Sequence, residues 1–266
     1  LLMGIEHERI HLETSSVLIR QLPIQHVYAH PEWLCYKESN EPPNNNLVQF
    51  DSKKVQLNRP DDYPFYGWDN EYGNHTDVVD SFKTSQYLVS NGEFKTFIAQ
   101  GGYKNIDFWS EEGWKWRSYL KAELPRFWLK KDETYFLRTM VEEIPMPWDW
   151  PCEVNFHEAK AFCNWLSKVK EKKIRLPSES EWMVLRHSIC DSETQETKAL
   201  GNIDLKFCAS SVPVNKHNFN GIFDVIGNVW QWTESTINGY KGFKTHPLYD
   251  DFSVPTFDNQ HCLIKG

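Results

Sequence analysis

The sequence lacks an excess of positive charge, since 29 Lys and Arg stand against 37 Asp and Glu for a formal net charge of -8. This balance argues against a basic surface that binds nucleic acid or an anionic membrane. It also lacks any apolar run near the ~20 residues of a membrane span. No basic segment followed by an apolar signal core begins the chain. We therefore expect a cytoplasmic protein, and chemistry on small molecules remains open.

Closely spaced cysteines are also absent. The six cysteines are scattered and form no Cys-x-x-Cys pair, and a chain of 266 residues can build a core without disulfides. We predict free thiols at Cys35, Cys152, Cys163, Cys190, Cys208 and Cys262.

Aromatic residues, in contrast, are abundant. They make up 15% of the chain, which suits a loop-rich fold held together by large, partly polar side chains. Hydrophobic residues at 40% and charged residues at 25% are ordinary for a globular protein. The length predicts one or two domains.

The chain divides into two regions. Apolar residues at helical spacing predict a helix over about residues 3–21, which Pro23 ends. The polar, proline-containing segment 36–46 predicts an exposed linker, so we place a domain boundary between residues 46 and 47. Both ends of the sequence lie inside predicted elements, and we expect the chain to be a fragment.

The second region, residues 47–266, mixes short β-type runs with capped helices, an α+β pattern. Runs at 78–79 and 86–89 predict strands. Three capping boxes, in which a side chain at the helix start and a carboxylate three residues later exchange hydrogen bonds with the backbone, predict helix starts. They are Ser90 with Glu93, Asn155 with Glu158, and Ser178 with Glu181.

One local pattern, His7-Glu8-Arg9-Ile10-His11-Leu12-Glu13, suggests metal chemistry. Residues four apart on a helix project about 40° apart, so His7 and His11 can direct imidazole nitrogens at one ion. Glu13 points about 200° away from His11. It is a poor third ligand, and we expect it to order a neighbouring helix or a substrate, or to support the direct ligands without touching the metal. Imidazole does not distinguish zinc from iron, copper or nickel.

Other interpretations of the pair stay open at this point. His7 and Glu8 also match the His-Glu-x-x-His pattern of zinc peptidases, in which Glu8 would be the general base. Two histidines at this spacing also arise by chance, and the helix would then have no metal at all.

Several segments of the second region, in the same order along the chain, resemble the formylglycine-generating enzyme (sulfatase-modifying factor) family. Each is weak alone, but their shared order is specific. They are 89–94 (VSNGEF), 101–103 (GGY), 108–110 (FWS), 113–114 (GW), 151–166, 175–182 (RLPSESEW) and 224–232 (DVIGNVWQW).

The resemblance implies a loop-rich α/β module related to C-type lectins. We expect packing roles for Trp230 and Trp232 and a turn at Asn228. Members of the family often carry calcium near the last motif. They usually have an acidic residue at the position where this chain has Gln231, so we expect no calcium here. Because fold does not fix function, a non-catalytic lectin-like binding module also stays open.

Within this family, formylglycine-generating enzymes have no preceding metal-binding helix, whereas the sulfoxide synthases join a helical DinB-like domain to the module. The chain resembles the ovothiol-type (5-histidylcysteine) sulfoxide synthases, whose helix carries His-x3-His-x-Glu. His7, His11 and Glu13 match that pattern, and segment 246–257 is also similar. Residues 1–46 would then be the end of a DinB-like domain and its linker.

This resemblance implies Fe(2+) at His7 and His11, with a third histidine outside this sequence. The implied reaction joins the sulfur of cysteine to the imidazole of histidine and oxidises that sulfur with O2. An active-site tyrosine would supply a proton or hydrogen atom; Tyr249 is our candidate and Tyr240 the second choice. The ergothioneine type, which takes trimethylated histidine with cysteine or γ-glutamylcysteine, is the alternative. A methyltransferase domain follows in the ovothiol enzymes.

Overall fold

The computed structural model describes residues 1–189, 201–203, 205 and 208–266. Within these ranges, helices and short antiparallel strands alternate, which agrees with the predicted α+β class. The helices are α1 (Leu2–Ile19), α2 (Asn91–Ala99), α3 (Glu111–Leu120), α4 (Phe156–Lys170) and α5 (Glu179–Ile189), with short 3-10 turns at Ile24–His26, Asp69–Glu71, Ile106–Phe108 and Val254–Thr256. No helix in these ranges is long and apolar enough to cross a membrane.

The strands form small sheets rather than one large one. Four are two-stranded: β1 with β4, β2 with β3, β8 with β9, and β10 with β11; β5, β6 and β7 form a three-stranded sheet. Their bounds are β1 Leu47–Phe50, β2 Lys53–Gln56, β3 Thr76–Val79, β4 Phe82–Ser85, β5 Trp128–Lys131, β6 Thr134–Arg138, β7 Glu143–Pro145, β8 Asn218–Phe219, β9 Ile222–Phe223, β10 Gln231–Thr236 and β11 Cys262–Lys265.

The strand expected at 78–79 lies within β3, but the strand expected at 86–89 was wrong. The pairing of β4 with β1 ends at Ser85. Beyond it, the Gln86 N–H donates to the Asn46 carbonyl, the Cys152 N–H donates to the Val89 carbonyl, and an isolated bridge joins Ser90 and Pro151. The run therefore makes scattered backbone bonds instead of a strand ladder, and Val89 packs against the aromatic core.

The core sits between α2 and α4 and is mostly aromatic. Phe97 is fully buried and its ring contacts those of Phe94, Phe162 and Trp165 at centroid distances of 5.1 to 5.9 Å. Such offset and edge-to-face pairs stabilise beyond their buried area. This core agrees with the prediction of a fold held together by large aromatic side chains.

The three predicted capping boxes are confirmed. At α2, the Glu93 N–H donates to Ser90 Oγ and Glu93 Oε2 accepts from the Ser90 N–H. The boxes at Asn155 and Ser178 make the same reciprocal bonds. Each satisfies backbone N–H groups that a helix start otherwise leaves unpaired.

Helix α1 lies against the rest of the protein at its C-terminal end. No α1 residue is buried. Just beyond it, the Arg20 guanidinium stacks 3.8 Å from the Phe127 ring centroid, donates to the Arg138 carbonyl and pairs with Glu153. Arg20 therefore joins the helix to the β5–β7 sheet.

Segment 36–46, predicted as a linker, is largely exposed yet tied to the second region. The buried carboxylate of Asp149 accepts from Ser39 Oγ at 2.7 Å and from the Asn40 N–H at 2.9 Å. Pro42 packs on Gly92, where an added Cβ would come within 2.4 Å of it. The segment thus adopts a defined path rather than acting as a free spacer.

Cysteines in the described ranges are free thiols, as the sequence predicted. Burial raises the pKa of the Cys163 thiol to about 11, so this thiol stays protonated and unreactive. The prediction for Cys190 lies outside the described residues.

Candidate metal and catalytic site

His7 and His11 lie on the same face of α1, as their four-residue spacing requires. Their ring centroids are 4.4 Å apart with the planes at 76°. The His7 side chain is 33% exposed, so its ring faces partly into the protein. Two imidazoles this close have the right donor chemistry for a borderline metal such as iron or zinc.

The pair does not form a three-residue ligand set with its neighbours. Among the described residues, no group of three or more His, Cys, Asp or Glu side chains could hold a metal ion. Glu13 is half-buried, and its backbone carbonyl accepts a hydrogen bond from Ser16 Oγ at 2.6 Å. The helix therefore supplies two nitrogen donors, and a complete centre needs further ligands.

Tyr249 reaches this pair from a distant part of the sequence. Its hydroxyl lies 3.1 Å from His7 Nε2, and the two rings meet edge-to-face at a centroid distance of 5.6 Å. The phenol donates to Nε2 when that nitrogen carries no proton and accepts from it otherwise. A proton-bearing group is therefore in direct contact with one of the two candidate ligands.

Tyr240, our second candidate, lies elsewhere. Its hydroxyl donates to Glu179 Oε1 at 2.6 Å, and its ring packs on His75 at 5.2 Å. Lys265 also binds Glu179, at 2.7 Å. Burial and the neighbouring Glu179 carboxylate raise the pKa of Tyr240, and its hydroxyl is bonded to Glu179 rather than to His7 or His11.

An aromatic group surrounds Tyr249. Trp68 and Phe252 stack at a centroid distance of 4.1 Å, and both approach the Tyr249 ring, at 6.1 and 5.1 Å. Tyr66 contacts Trp68 edge-to-face at 5.2 Å. The rings of Trp68 and Phe252 therefore pack around that of Tyr249.

Negative charge also gathers beside these rings. Burial raises the pKa of the Tyr66 phenol, and the charges of Asp69, Glu71 and Glu6 add to the increase. Glu6 belongs to α1, and its carboxylate pairs with Arg9, while Glu71 pairs with Arg59.

Sequence reasoning missed Trp68 and Asp69. The dense aromatic run 63–68, within a proline- and glycine-containing loop, was the available signal for Trp68. Asp69 has no local signal at all. It is buried, and its carboxylate accepts from the His246 N–H at 3.1 Å and from Ser253 Oγ.

In the motif at 224–232, the side-chain amides of Asn228 and Gln231 bond to the backbone. Gln231 Nε2 donates to the Asp224 carbonyl at 2.7 Å, which places an N–H donor where a cation would need an oxygen ligand. Asn228 has a φ of 66° and bonds both backbone groups of Val212, so it holds a turn as expected. These contacts do not fit a calcium site.

The two tryptophans of this motif differ. Trp232 packs on Phe156 at 5.7 Å and donates to the Val154 carbonyl, which confirms a packing role. Trp230 is 44% exposed, and its expected packing role stays a prediction.

The comparisons with known proteins agree with these motifs. Residues 48–266 match the family model of the sulfatase-modifying factor enzyme 1-like domain. Hercynine oxygenase of Mycobacterium tuberculosis is 30% identical over 211 residues, which cover 74% of this chain and 48% of that protein. Ergothioneine biosynthesis protein 1 of Neurospora crassa is 22% identical over an alignment 346 positions long, gaps included, which covers 99% of this chain and 39% of that protein.

A solved structure, PvdO from Pseudomonas aeruginosa, superposes with a TM-score of 0.48 at 16% identity, covering 77% of this chain and 84% of that one. The chain spans about half the length, or less, of the curated relatives named above. From the extent of the family-model match, the chain belongs to the sulfatase-modifying factor enzyme 1-like domain family.

Proposed function

We propose that this chain forms the catalytic part of an iron-dependent sulfoxide synthase, which joins a thiol sulfur to a histidine-derived imidazole and oxidises that sulfur with O2. The observation that carries the proposal is the contact of the Tyr249 hydroxyl with His7 Nε2 at 3.1 Å, beside His11. Relatives named hercynine oxygenase and ergothioneine biosynthesis protein 1 support this class of oxidoreductase.

The names of the relatives favour the ergothioneine type over the ovothiol type. Hercynine is trimethylated histidine, so hercynine with cysteine or γ-glutamylcysteine is our first candidate substrate pair. Histidine with cysteine is the second, and the pattern of His7, His11 and Glu13 supports it. The Neurospora crassa match covers 99% of this chain and so includes α1, which is consistent with a working role for the helix in either type.

In this proposal, His7 and His11 would hold the iron through imidazole nitrogens, together with further ligands outside this sequence. Bound iron would supply the redox chemistry that lets a thiolate and oxygen react at one centre. The two imidazoles fit this task, since neutral nitrogen donors suit iron. The Nε2 lone pair of His7 cannot bind iron and accept from Tyr249 at once, so iron at this nitrogen would replace the Tyr249 hydrogen bond. Tyr249 then holds a proton at its phenol oxygen near the centre, with Trp68 and Phe252 packed around its ring.

The other interpretations of the helix have less support. A zinc peptidase would use Glu8 as its general base. The Glu8 side chain is instead 81% exposed to solvent, and its nearest contact to the pair is a distance of 3.9 Å between its Oε1 and His7 Nδ1. A non-catalytic lectin-like module would leave the His7–Tyr249 contact without a role. A cytoplasmic location and a following methyltransferase domain stay predictions.

The test uses the full-length protein, with iron content, oxygen uptake and product mass as readouts. Cysteine or γ-glutamylcysteine is supplied with either hercynine or histidine, so that the product mass identifies the branch. We expect His7→Ala and His11→Ala to lose iron and product. We expect Tyr249→Phe to keep iron but to slow product formation about 100-fold or more.

The matched control is His26→Ala, because His26 is an exposed histidine just after α1 and outside the site. It should keep iron and activity. A protein that binds no iron and consumes no oxygen with any substrate pair would contradict the proposal and favour the binding-module interpretation.

A further inference from the structure

Tyr249 lies in a segment that has little support of its own. We call residues 246–253 the Tyr249 segment. Its internal backbone bonds are long, with the Tyr249 N–H 3.2 Å from the His246 carbonyl and the Phe252 N–H 3.5 Å from the Tyr249 carbonyl. Leu248 between them is 80% exposed. The segment therefore depends on outside contacts for a single conformation.

A single buried carboxylate makes hydrogen bonds to both ends of the segment. Asp69 Oδ2 accepts from the His246 N–H at 3.1 Å, and Asp69 Oδ1 accepts from Ser253 Oγ. Asp69 is 8% exposed and Ser253 is 1% exposed. Hydrogen bonds to a charged, buried acceptor are stronger than those between neutral groups. Asp69 thus joins the first and last residues of the segment.

Asp69 is itself held in place by its neighbours. It begins the 3-10 turn Asp69–Glu71, in which Glu71 Oε2 accepts from the Trp68 N–H at 2.7 Å. The other oxygen of Glu71 pairs with Arg59 Nε at 2.8 Å. The anchor is therefore a turn with its own ion pair rather than a mobile loop.

The residue before Asp69 orients the segment as well. The Trp68 ring stacks on Phe252, one residue from Ser253, and also approaches Tyr249. The hydrogen bonds to Asp69 hold the two ends of the Tyr249 segment, and the Trp68–Phe252 stack holds the orientation of its aromatic side chains. Together these contacts direct the Tyr249 hydroxyl at His7 Nε2.

We propose that Asp69 is a positioning residue: by bonding both ends of the Tyr249 segment, it holds the Tyr249 hydroxyl against His7. Asp69 acts through Tyr249. The hold of Asp69 on Tyr249 does not depend on the reaction, whereas the effect of Asp69 on turnover rests on the proposed function.

The protein provides a matched control in Asp149. This carboxylate is fully buried and also accepts one serine hydroxyl, Ser39 Oγ, and one backbone N–H, that of Asn40. It fixes the segment 36–46 instead of the Tyr249 segment. Asp69→Asn and Asp149→Asn therefore make the same chemical change, since each turns one accepting oxygen into an N–H donor.

The first experiment needs neither iron nor turnover. In metal-free, 15N-histidine-labelled protein, the His7 Nε2 resonance is assigned by its loss in His7→Gln. We expect Asp69→Asn to shift this resonance in the direction that Tyr249→Phe does, and Asp149→Asn to leave it in place. An unchanged His7 resonance in folded Asp69→Asn protein would overturn the proposal.

The second experiment measures kinetics in the full-length enzyme. We expect Asp69→Asn to lower kcat about 10- to 100-fold with little change in KM, because a displacement of the order of 1 Å costs this much when a reacting group is misplaced. In the Tyr249→Phe background, Asp69→Asn should cost nothing further. An additive loss would show that Asp69 acts by another route.

Ser253→Ala carries the same tests if Asp69→Asn does not fold, because it removes only the hydroxyl donor. Its control is Ser39→Ala, which removes the corresponding donor to Asp149. We expect Ser253→Ala alone to shift the His7 resonance, and an equal response in both variants would overturn the proposal. If the enzyme shows no sulfoxide synthase activity, the resonance shift still decides the positioning role.

Discussion

The aromatic core between α2 and α4 and the edge that carries His7 are built in different ways. In the core, Phe97 is fully buried among other rings. At the edge, α1 has no buried residue, and the His7–Tyr249 contact joins residues 242 positions apart. The core stabilises the fold, whereas a few polar contacts shape the site. We therefore expect substitutions in the two regions to separate stability from function.

The largest expected effect is a change in the free energy of unfolding with pH, caused by the buried carboxyl group of Asp224. Burial raises the pKa of Asp224 from 3.8 to about 8, although Asn228 donates to it. The folded state then binds more protons than the unfolded state across this window, so the free energy of unfolding falls as pH rises from 3.8 to about 8. The decline should be several kcal/mol, since one pKa unit corresponds to about 1.4 kcal/mol.

Denaturant unfolding across this pH range measures the decline. Asp224→Asn should make the decline shallower, because the amide stays neutral and asparagine tolerates the positive φ of this position, 49°. A smaller decline should remain, since burial also raises the pKa of Glu158, to about 7. Asp258→Asn is the control, since the His261 side chain holds the pKa of Asp258 at about 2. Equal profiles for wild-type and Asp224→Asn protein would contradict the prediction.

Phe97→Ala should destabilise the core by about 3–5 kcal/mol, because it removes a fully buried ring and leaves a cavity. Phe65→Ala makes the same change at a ring that is 51% exposed, and we expect about 1 kcal/mol or less. Chemical denaturation measures both. Similar losses for the two variants would mean that the core and the edge loops are equally well packed.

Arg20→Ala should weaken the edge without weakening the core. The Arg20 side chain is 9% exposed and joins α1 to the β5–β7 sheet, so its loss should lower the local opening free energy of α1 by about 2 kcal/mol. Amide hydrogen exchange of residues 2–19 against that of α2 measures the difference. Arg9→Ala, at a side chain that is 46% exposed, should change neither.

Ser90→Ala should cost about 1 kcal/mol, because it removes the side chain that caps α2. Ser90→Gly should cost less, since glycine exposes the helix N-terminus to water. Thermal or denaturant unfolding detects the difference. A loss that is the same in both variants would point to buried packing of Ser90, which is 1% exposed, rather than to its cap.

Local patterns predicted much of the fold and one half of the candidate site. The capping boxes needed only residues three apart, and the histidine pair only residues four apart on one helix. The strand expected at 86–89 failed because strand formation depends on a partner elsewhere in the chain. Asp69 was missed for the same reason, since its two partners lie 177 and 184 positions away.

The sequence by itself determined the helix starts, the free thiols of the described ranges, the aromatic character of the core and the closeness of His7 to His11. These features depend on neighbours along the chain or on overall composition. Only the tertiary structure decided that Tyr249, and not Tyr240, meets His7, and that Asp69 anchors the segment between them. Hydrogen bonds of this kind form between residues far apart in sequence, and no local preference encodes which of them come together.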